Sequence, residues 1–167
     1  MGLDIWFYKQ NKKEAELAKA KNIPIEAKIV EMESRDSELS QEEIEELRNL
    51  YEELENPKKE VAYFRKVNFL VRFFDYQDDC SDQVISKCEV EDLIAACNAV
   101  LKKAKSNPDN WQEFADDELP TVSGFFFGST EYGEYYLSDV KEVVNEFTRI
   151  LDDVDWGKED LIMHCWW

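Results

Sequence analysis

The first residues of the chain alternate between two kinds of side chain, and this pattern constrains the fold more than any other. Leu3, Ile5 and Phe7 fall on one side of an extended segment, and the residues between them fall on the other. A period of two predicts a strand. Residues 160–167 form a second short apolar run, also typical of a strand. We expect the two to pair in one sheet, because a strand at each end ties both ends down.

Three segments carry apolar residues at helical spacing: 42–55, 91–104 and 138–154. The third is the most regular, since its apolar positions recur at i, i+3, i+4 and i+7 without interruption. Ser138 precedes that run and is its expected N-cap. The three segments therefore predict amphipathic helices.

The segment 12–60 is acidic and less regular. Ser40 and the glutamate three residues on predict a capping box at the start of the glutamate-rich helix 42–55. Before it, residues 11–20 predict a short charged helix or a mobile loop. Pro24 is expected to break any helix in this region, and residues 28–32 are a weak strand candidate.

Residues 61–76 are apolar nearly all round, which predicts a central helix. Arg65, Lys66 and Asn68 are embedded in it. Buried charges are costly unless paired, so we expect a structural ion-pair network, with a polar pocket of Arg65, Asn68 and a carboxylate as the alternative. The expected counter-ions are acidic residues elsewhere in the chain: Glu131 and Glu134, or Asp78 and Asp79.

Taken together, these patterns predict a single α+β domain over residues 1–167. Three to four helices pack on a small, mainly antiparallel sheet that includes both terminal strands. Residues 12–60 form an acidic, partly mobile helical insert. Strands and helices do not alternate regularly, which argues against a doubly wound parallel sheet.

The chain carries a formal charge of -18 in 167 residues. Such an acidic protein repels phosphate backbones and anionic membrane surfaces, so direct nucleic-acid or membrane binding is disfavoured. Basic proteins are the favoured partners, although acidity also serves solubility alone. The N-terminal residues lack a basic, apolar targeting pattern, and we expect a cytoplasmic protein.

The densest aromatic segment is Gly124-Phe-Phe-Phe-Gly-Ser-Thr-Glu-Tyr-Gly-Glu-Tyr-Tyr136. In one interpretation, Gly128, Ser129 and Thr130 form a tight turn that holds an anion. In another, tyrosines and acidic residues form a face for a polar or cationic partner: Tyr132, Tyr135 and Tyr136 with Glu131 and Glu134. The simplest alternative is a buried strand over residues 125–127, followed by a turn at Gly128.

No catalytic motif, cofactor site or metal site is predicted. His164 is the chain's only histidine, and a hydrolytic triad would have to use it. The cysteines form no Cys-x-x-Cys pair, and no usual zinc-ligand spacing occurs. Cys97 falls on the apolar face of a predicted helix, where core packing is its default role.

The opening Met1-Gly-Leu-Asp4, the central Phe64-Arg-Lys-Val-Asn-Phe-Leu70 and the segment ending in Tyr136 occur together in one chain. In these features the chain resembles a family of small proteins of phages, prophages and bacteria that share an MGLD start and a GFFFGSTxYxEYY motif. The match covers the ends and the second half of the chain. The resemblance implies a mobile-element context and brings no established activity.

The leading hypothesis is an acidic, non-catalytic binding protein that engages a basic host or defence protein by nucleic-acid mimicry. Its acidic face would consist of Glu42, Glu43, Glu45, Glu46, Glu52 and Glu53. The alternative is a small-molecule-binding protein or hydrolase with a pocket between the Arg65/Asn68 helix and the 128–136 turn. A homodimer through Trp166 and Trp167 is a third hypothesis. The candidate binding residues are Arg65, Lys66, Asn68, Ser129, Thr130, Tyr132, Glu134 and Tyr136.

Overall fold

The computed structural model describes residues 2–35, 38–77 and 80–167. The chain divides into two compact units: Met1–Lys9 with Lys59–Trp167, and Gln10–Lys58. The second unit occupies nearly the same residues as the insert expected at 12–60. In the described ranges no helix has the length and apolar character needed to cross a membrane.

The first unit is built on a four-stranded antiparallel sheet with the order β2-β1-β4-β3. Its strands are β1 (Asp4–Asn11), β2 (Lys59–Arg65), β3 (Asp82–Ile85) and β4 (Glu159–Trp166). The two terminal strands, β1 and β4, are neighbours, which confirms the predicted pairing. Leu3, Ile5 and Phe7 are fully buried, as the alternation predicted.

Six helices lie within the described ranges, more than the three to four predicted: α1 (Lys12–Glu33), α2 (Gln41–Glu53), α3 (Phe69–Phe73), α4 (Lys87–Ser106), α5 (Gln112–Glu118) and α6 (Glu134–Asp153). The class α+β is confirmed. Two of the additional helices, α3 and α5, have only 5 and 7 residues. Segments of that length are too short to show a 3.6-residue period.

The core of the first unit is dominated by aromatic rings from the sheet and α6. The Phe7 ring lies 4.8 Å from that of Phe147 and 6.0 Å from that of Phe64, measured between centroids, both in edge-on geometry. Such pairs add a small specific stabilisation to the large area they bury. Cys97 is fully buried on α4, in the packing role expected of it, and burial raises the pKa of its thiol to about 12.

The predicted central helix over residues 61–76 is wrong. Its first part is strand β2, whose residues pair in register with β1: Phe64 lies opposite Ile5, and Tyr63 opposite Trp6. Only α3, five residues long, is helical. A run that is apolar all round fits a buried strand as well as a buried helix, and periodicity alone does not separate them.

The predicted break at Pro24 and the strand at residues 28–32 are also wrong, because α1 runs unbroken through both. Asn11 caps the helix by accepting hydrogen bonds from the amides of Lys13 and Glu14. Ile29 and Met32 then pack against Leu50 of α2, in the small core of the second unit. This packing and the many good helix formers around Pro24 offset the hydrogen bond that proline cannot donate.

Helix α2 begins where the sequence predicts, with Ser40 and Glu43 in a reciprocal capping box. Helix α6 instead begins one turn before the expected N-cap: Gly133 is its N-cap, and Ser138 lies inside the helix. The apolar period of residues 138–154 marks the buried face of α6, and it carries no information on the extra first turn, where Tyr136 is buried.

Candidate functional site

A cavity of about 220 Å³ lies in the first unit, between the β2–α3 turn, the 119–133 loop and the start of α6. Arg65 and Lys66 line it from the first of these elements. The polar side chains from the other two are Thr121, Ser129, Glu131 and Asp139. The cavity therefore brings cations, hydroxyls and carboxyl groups together around one small space.

Asn68 holds the loop that forms one wall of this cavity. Its side-chain Nδ2 donates to the carbonyl of Ser129 at 2.9 Å and to that of Phe127 at 3.3 Å. Its Oδ1 accepts from the amide of Val122 at 3.4 Å. Asn68 is 2 % exposed, so its own polar atoms have little access to water as an alternative partner. Asn68 thus positions the wall of the site.

Lys66 and Gly128 lie close together, and each has a left-handed backbone conformation. Lys66 has φ 62° and Gly128 has φ 96°. A Cβ atom at Gly128 would lie 3.0 Å from Cβ of Lys66 and 3.3 Å from its carbonyl oxygen. Glycine is therefore required at position 128 both by its φ and by the close approach of Lys66. This contact keeps Lys66 at the cavity.

The counter-ion of Arg65 is a residue that the sequence analysis did not suggest. Its Nη1 lies 3.6 Å from Oδ1 of Asp4, a buried carboxylate that also accepts a short hydrogen bond from the Tyr63 hydroxyl. The expected partners Glu131 and Glu134 form no ion pair with either cation in the described part of the chain, and Asp78 and Asp79 lie outside the described residues. Lys66 has no ion pair within residues 2–35, 38–77 and 80–167.

The N-terminus of α6 lines the cavity without a side-chain cap. Its N-cap is Gly133, which has no side chain to offer, whereas Asn11, Ser40 and Ser86 cap α1, α2 and α4. The first hydrogen bond within the helix runs from the amide of Leu137 to the carbonyl of the N-cap residue, Gly133. The preceding amides form the positive end of a 20-residue helix dipole. This end therefore favours an anionic group in the cavity.

Two of the tyrosines hold the 119–121 segment with their hydroxyl groups. Tyr136 donates to the carbonyl of Leu119 at 2.8 Å, and Tyr132 donates to Asp116 at 2.6 Å while accepting from the amide of Thr121. Burial raises the pKa of both phenols, and for Tyr132 the hydrogen bond to Asp116 adds to the rise. These hydroxyls are engaged within the protein. Tyr135, 89 % exposed, also lines the cavity.

Asp139 brings a carboxyl group with a perturbed pKa to the cavity. Partial burial raises its pKa, and the nearby charge of Glu142 raises it further. Asp139 was not among the residues expected at the site. Its spacing of three from Tyr136 puts both residues on one face of α6, which is the signal that could have identified it. Thr121 and Gly133 were missed as well, since no motif marks them.

The structure brings five of the eight candidate binding residues to this cavity: Arg65, Lys66, Asn68, Ser129 and Tyr136. Thr130, Tyr132 and Glu134 do not line it. The carbonyl of Thr130 accepts from the Thr121 hydroxyl at 3.2 Å, and Glu134 is exposed in the first turn of α6. The alternative of a buried strand over residues 125–127 is wrong, because residues 124–127 form a turn in which Phe127 is buried and Phe125 is 81 % exposed.

The acidic face on α2 is partly neutralised within its own unit. Glu46 pairs with Lys28. Oε1 of Glu43 lies 2.9 Å from Nη1 of Arg35, and Glu43 also completes the capping box. The bonds from Ser40 and the charge of Arg35 lower the pKa of Glu43. Exposed glutamates on α2 with no ion pair in the described residues are Glu42, Glu45, Glu52 and Glu53.

His164 lies on β4, away from the cavity lining. Its Nδ1 is 3.1 Å from Oδ1 of Asp82, its cross-strand neighbour on β3. Among the described residues, no three His, Cys, Asp or Glu side chains are grouped to hold a metal ion. The Trp167 ring packs 5.3 Å from Phe127 and 5.9 Å from Tyr76, measured between centroids, and thereby serves the protein's own core.

Comparisons of the chain with models of protein families, with curated proteins and with solved structures gave no match.

Proposed function

We propose that the protein binds a small anionic molecule in the cavity between Lys66 and the start of α6. The observation that carries the proposal is the meeting of Lys66 and Arg65 with an uncapped helix N-terminus around one space. Each feature alone favours negative charge, and a helix N-terminus with adjacent cations is a common anion site. The Ser129 hydroxyl accepts from the amide of Glu131 and keeps its own proton to donate to an anion, whereas the Thr121 hydroxyl donates to the carbonyl of Thr130.

The dimensions of the cavity favour a small ligand. Its volume of about 220 Å³ is below the roughly 300–1,000 Å³ of sites that enclose a drug-sized molecule. A phosphate, a sulfate or a short carboxylic acid is of suitable size. Glu131 and Asp139 line the same space, so the ligand is expected to carry limited negative charge or to place a hydrogen-bond donor beside them.

The lining favours binding over hydrolysis. The Ser129 hydroxyl accepts a hydrogen bond from the Glu131 amide at 3.1 Å. A serine nucleophile needs an adjacent general base, usually a histidine. No histidine is among the described residues that line the cavity.

The proposal is tested by calorimetric titration with sodium sulfate, whose charge is constant near neutral pH. We expect binding in the millimolar range or tighter, about 4 kcal/mol or more. Lys66→Gly should weaken it by at least about tenfold, since a charge-assisted bond contributes about 1.5–3 kcal/mol. Glycine suits the left-handed backbone at position 66, so folding should be retained.

The matched control is Lys102→Ala, which removes an exposed lysine of α4. Sulfate affinity should be unchanged in this variant. Equal affinities for the wild type, Lys66→Gly and Lys102→Ala would contradict the proposal, as would the absence of binding by the wild type.

A second candidate function is the engagement of a basic protein through α2. The observation in its favour is the group of exposed, unpaired glutamates Glu42, Glu45, Glu52 and Glu53 in the described part of the chain. If the resemblance to phage and prophage proteins holds, the partner would be a host or defence protein that itself binds nucleic acid. Glu45→Gln with Glu52→Gln should then weaken a salt-dependent association, and an unchanged salt dependence would oppose it.

A further inference from the structure

The cavity at the start of α6 is lined by charged side chains of both signs. Arg65 and Lys66 are the cations, and Glu131 and Asp139 bring carboxyl groups to the same space. Of the residues that the structure describes, none forms an ion pair with Glu131 or Asp139, and Arg65 pairs with Asp4 instead. Opposite charges thus line one cavity without neutralising each other. A ligand that carries both charges can contact both kinds of group.

The two cations lie next to one another, because they occupy adjacent positions of the β2–α3 turn. A Cβ atom at Gly2 would lie 3.4 Å from Nη2 of Arg65 and 3.3 Å from Cε of Lys66, so both side chains pass the same residue. Nη1 of Arg65 lies 3.6 Å from Asp4, but a guanidinium group has more N–H donors than one such pair occupies. These donors and the Lys66 ammonium group suit the carboxylate of a ligand.

The groups that favour a cation come from α6 and from the loop before it. Tyr135 and Asp139 are at positions i and i+4 of α6, which places them one turn apart on one face. Tyr135 lines the cavity and is 89 % exposed, so its ring is open to a ligand. Partial burial raises the pKa of Asp139, and a cation beside the carboxylate would offset this effect. A carboxylate and an aromatic ring both attract an ammonium ion.

We propose, on the basis of the anion-binding function above, that the ligand of the cavity is a small amino acid. Its carboxylate binds Lys66 and Arg65. Its ammonium group binds Asp139 and Glu131, with the ring of Tyr135 beside them. A simple anion is the less suitable ligand, because it would bring its own negative charge close to two unpaired carboxyl groups. The volume of about 220 Å³ limits the side chain of the amino acid to a few atoms.

Calorimetric titration of the full chain near neutral pH tests the need for the ammonium group. Glycine is compared with acetate, L-alanine and β-alanine with propionate, and 4-aminobutyrate with butyrate. Each pair shares a carboxylate and a carbon chain, and its members differ in the ammonium group alone. We expect at least one amino acid to bind about fivefold or more tightly than its matched acid, because only the amino acid contacts both sets of charges. A smaller preference in every pair overturns the proposal.

Asp139→Asn distinguishes an amino acid from a simple anion by the sign of its effect. The variant should bind the preferred amino acid at least about fivefold more weakly and sulfate more tightly, because the lost charge attracts ammonium and repels sulfate. A folding defect would weaken both. Glu131→Gln, in an exposed part of the loop, should change the two affinities in the same directions. Asp92→Asn on the exposed face of α4 is the control and should change neither.

Tyr135→Leu should weaken amino-acid binding by roughly two- to fivefold and leave sulfate affinity unchanged, since only the ammonium group uses the ring. The proposal is overturned if Asp139→Asn and Glu131→Gln both bind the amino acid as tightly as the wild type, or if both weaken sulfate to the same extent. Sulfate binding without a preference for any amino acid would overturn the amino-acid assignment and leave anion binding intact. Binding of neither sulfate nor any of these amino acids would contradict both.

Discussion

The side-chain amide of Asn68 donates to the backbone carbonyl of Ser129 at 2.9 Å, across 61 residues of sequence. This bond joins the start of α3 to the loop that forms the cavity wall. Because Asn68 is buried, its side-chain amide depends on these backbone partners for its hydrogen bonds. The geometry of the proposed anion site therefore depends on a residue whose own polar atoms are used within the protein.

Asn68→Ala is expected to destabilise the first unit by about 1–3 kcal/mol, the usual cost of leaving buried polar groups unsatisfied. Asn68→Asp should cost more, because it directs a carboxylate towards the carbonyls of Phe127 and Ser129. Chemical denaturation followed by aromatic fluorescence measures both. The control is Asn49→Ala on the exposed part of α2, which should change stability by less than about 0.5 kcal/mol. An Asn68→Ala effect as small as the control would remove Asn68 from its assigned role.

Asp139 makes both stability and anion binding depend on pH. Its pKa is raised in the folded protein. At pH values between the ordinary and the raised pKa, the carboxyl group is therefore protonated in the folded state and ionised in the unfolded state. Stability contributed by this group is present below the ordinary carboxyl pKa and is lost as the pH rises through the raised pKa. Asp139→Asn should thus be more stable than the wild type at neutral pH and equal to it in acid.

The same substitution should strengthen sulfate binding severalfold at neutral pH, by removing a like charge from the cavity. The other charged groups at the cavity are Arg65, Lys66 and Glu131, with Glu142 beside Asp139 and Asp4 beside Arg65. Asp92→Asn, an exposed aspartate of α4, is the matched change of charge and should leave affinity unaltered. Weaker sulfate binding by Asp139→Asn would mean that the carboxyl group assists the ligand.

Ser86 and Ser138 test where helices α4 and α6 begin. Ser86 caps α4 by accepting from the amide of Glu89, so Ser86→Ala should cost about 1 kcal/mol. Ser138 is exposed inside α6, so Ser138→Ala should be neutral or stabilise by up to about 0.5 kcal/mol. Thermal denaturation of the two variants gives the comparison. A loss with Ser138→Ala as large as that with Ser86→Ala would place the N-cap of α6 at position 138.

Pro24 lies in the interior of the 22-residue helix α1. Pro24→Ala restores a backbone donor and removes a steric clash, and we expect it to stabilise the second unit by about 1–3 kcal/mol. Far-ultraviolet circular dichroism during urea denaturation should show a later loss of helix. An earlier loss would show that the proline ring makes packing contacts that alanine cannot replace.

The parts of the fold that could be predicted are those with a clear period or cap. The alternation at Leu3, Ile5 and Phe7 predicted a buried strand, and the Ser40 capping box located the start of α2. Residues 61–76 were wrongly assigned because pairing with β1, a contact distant in sequence, decides between strand and helix there. A short helix over residues 11–20 was one of two alternatives, but the continuation of α1 to Glu33 was missed because tertiary packing of Ile29 and Met32 overrides the local signal of Pro24.

The sequence identified several residues of the candidate site, but it did not predict how they are arranged. Arg65, Lys66 and Ser129 were identified as unusual from the sequence, and they do line one cavity. The partner of Arg65 could not be predicted, because Asp4 reaches it only through the antiparallel register of β1 and β2. Gly133 could not be recognised either, since its importance lies in the absence of a cap on α6.

The most direct measurement of anion binding uses the five glycines of the chain as probes. Gly128 and Gly133 line the cavity, and Gly157 lies after α6, away from the lining. Protein labelled with ¹⁵N-glycine is titrated with sodium sulfate at constant ionic strength, maintained with sodium chloride. If the cavity binds anions, the Gly128 and Gly133 amide resonances shift saturably while Gly157 stays unmoved, and the shifts are greatly reduced in Lys66→Gly. Unchanged Gly128 and Gly133 resonances at sulfate concentrations that saturate a millimolar site would show that the cavity is not an anion site.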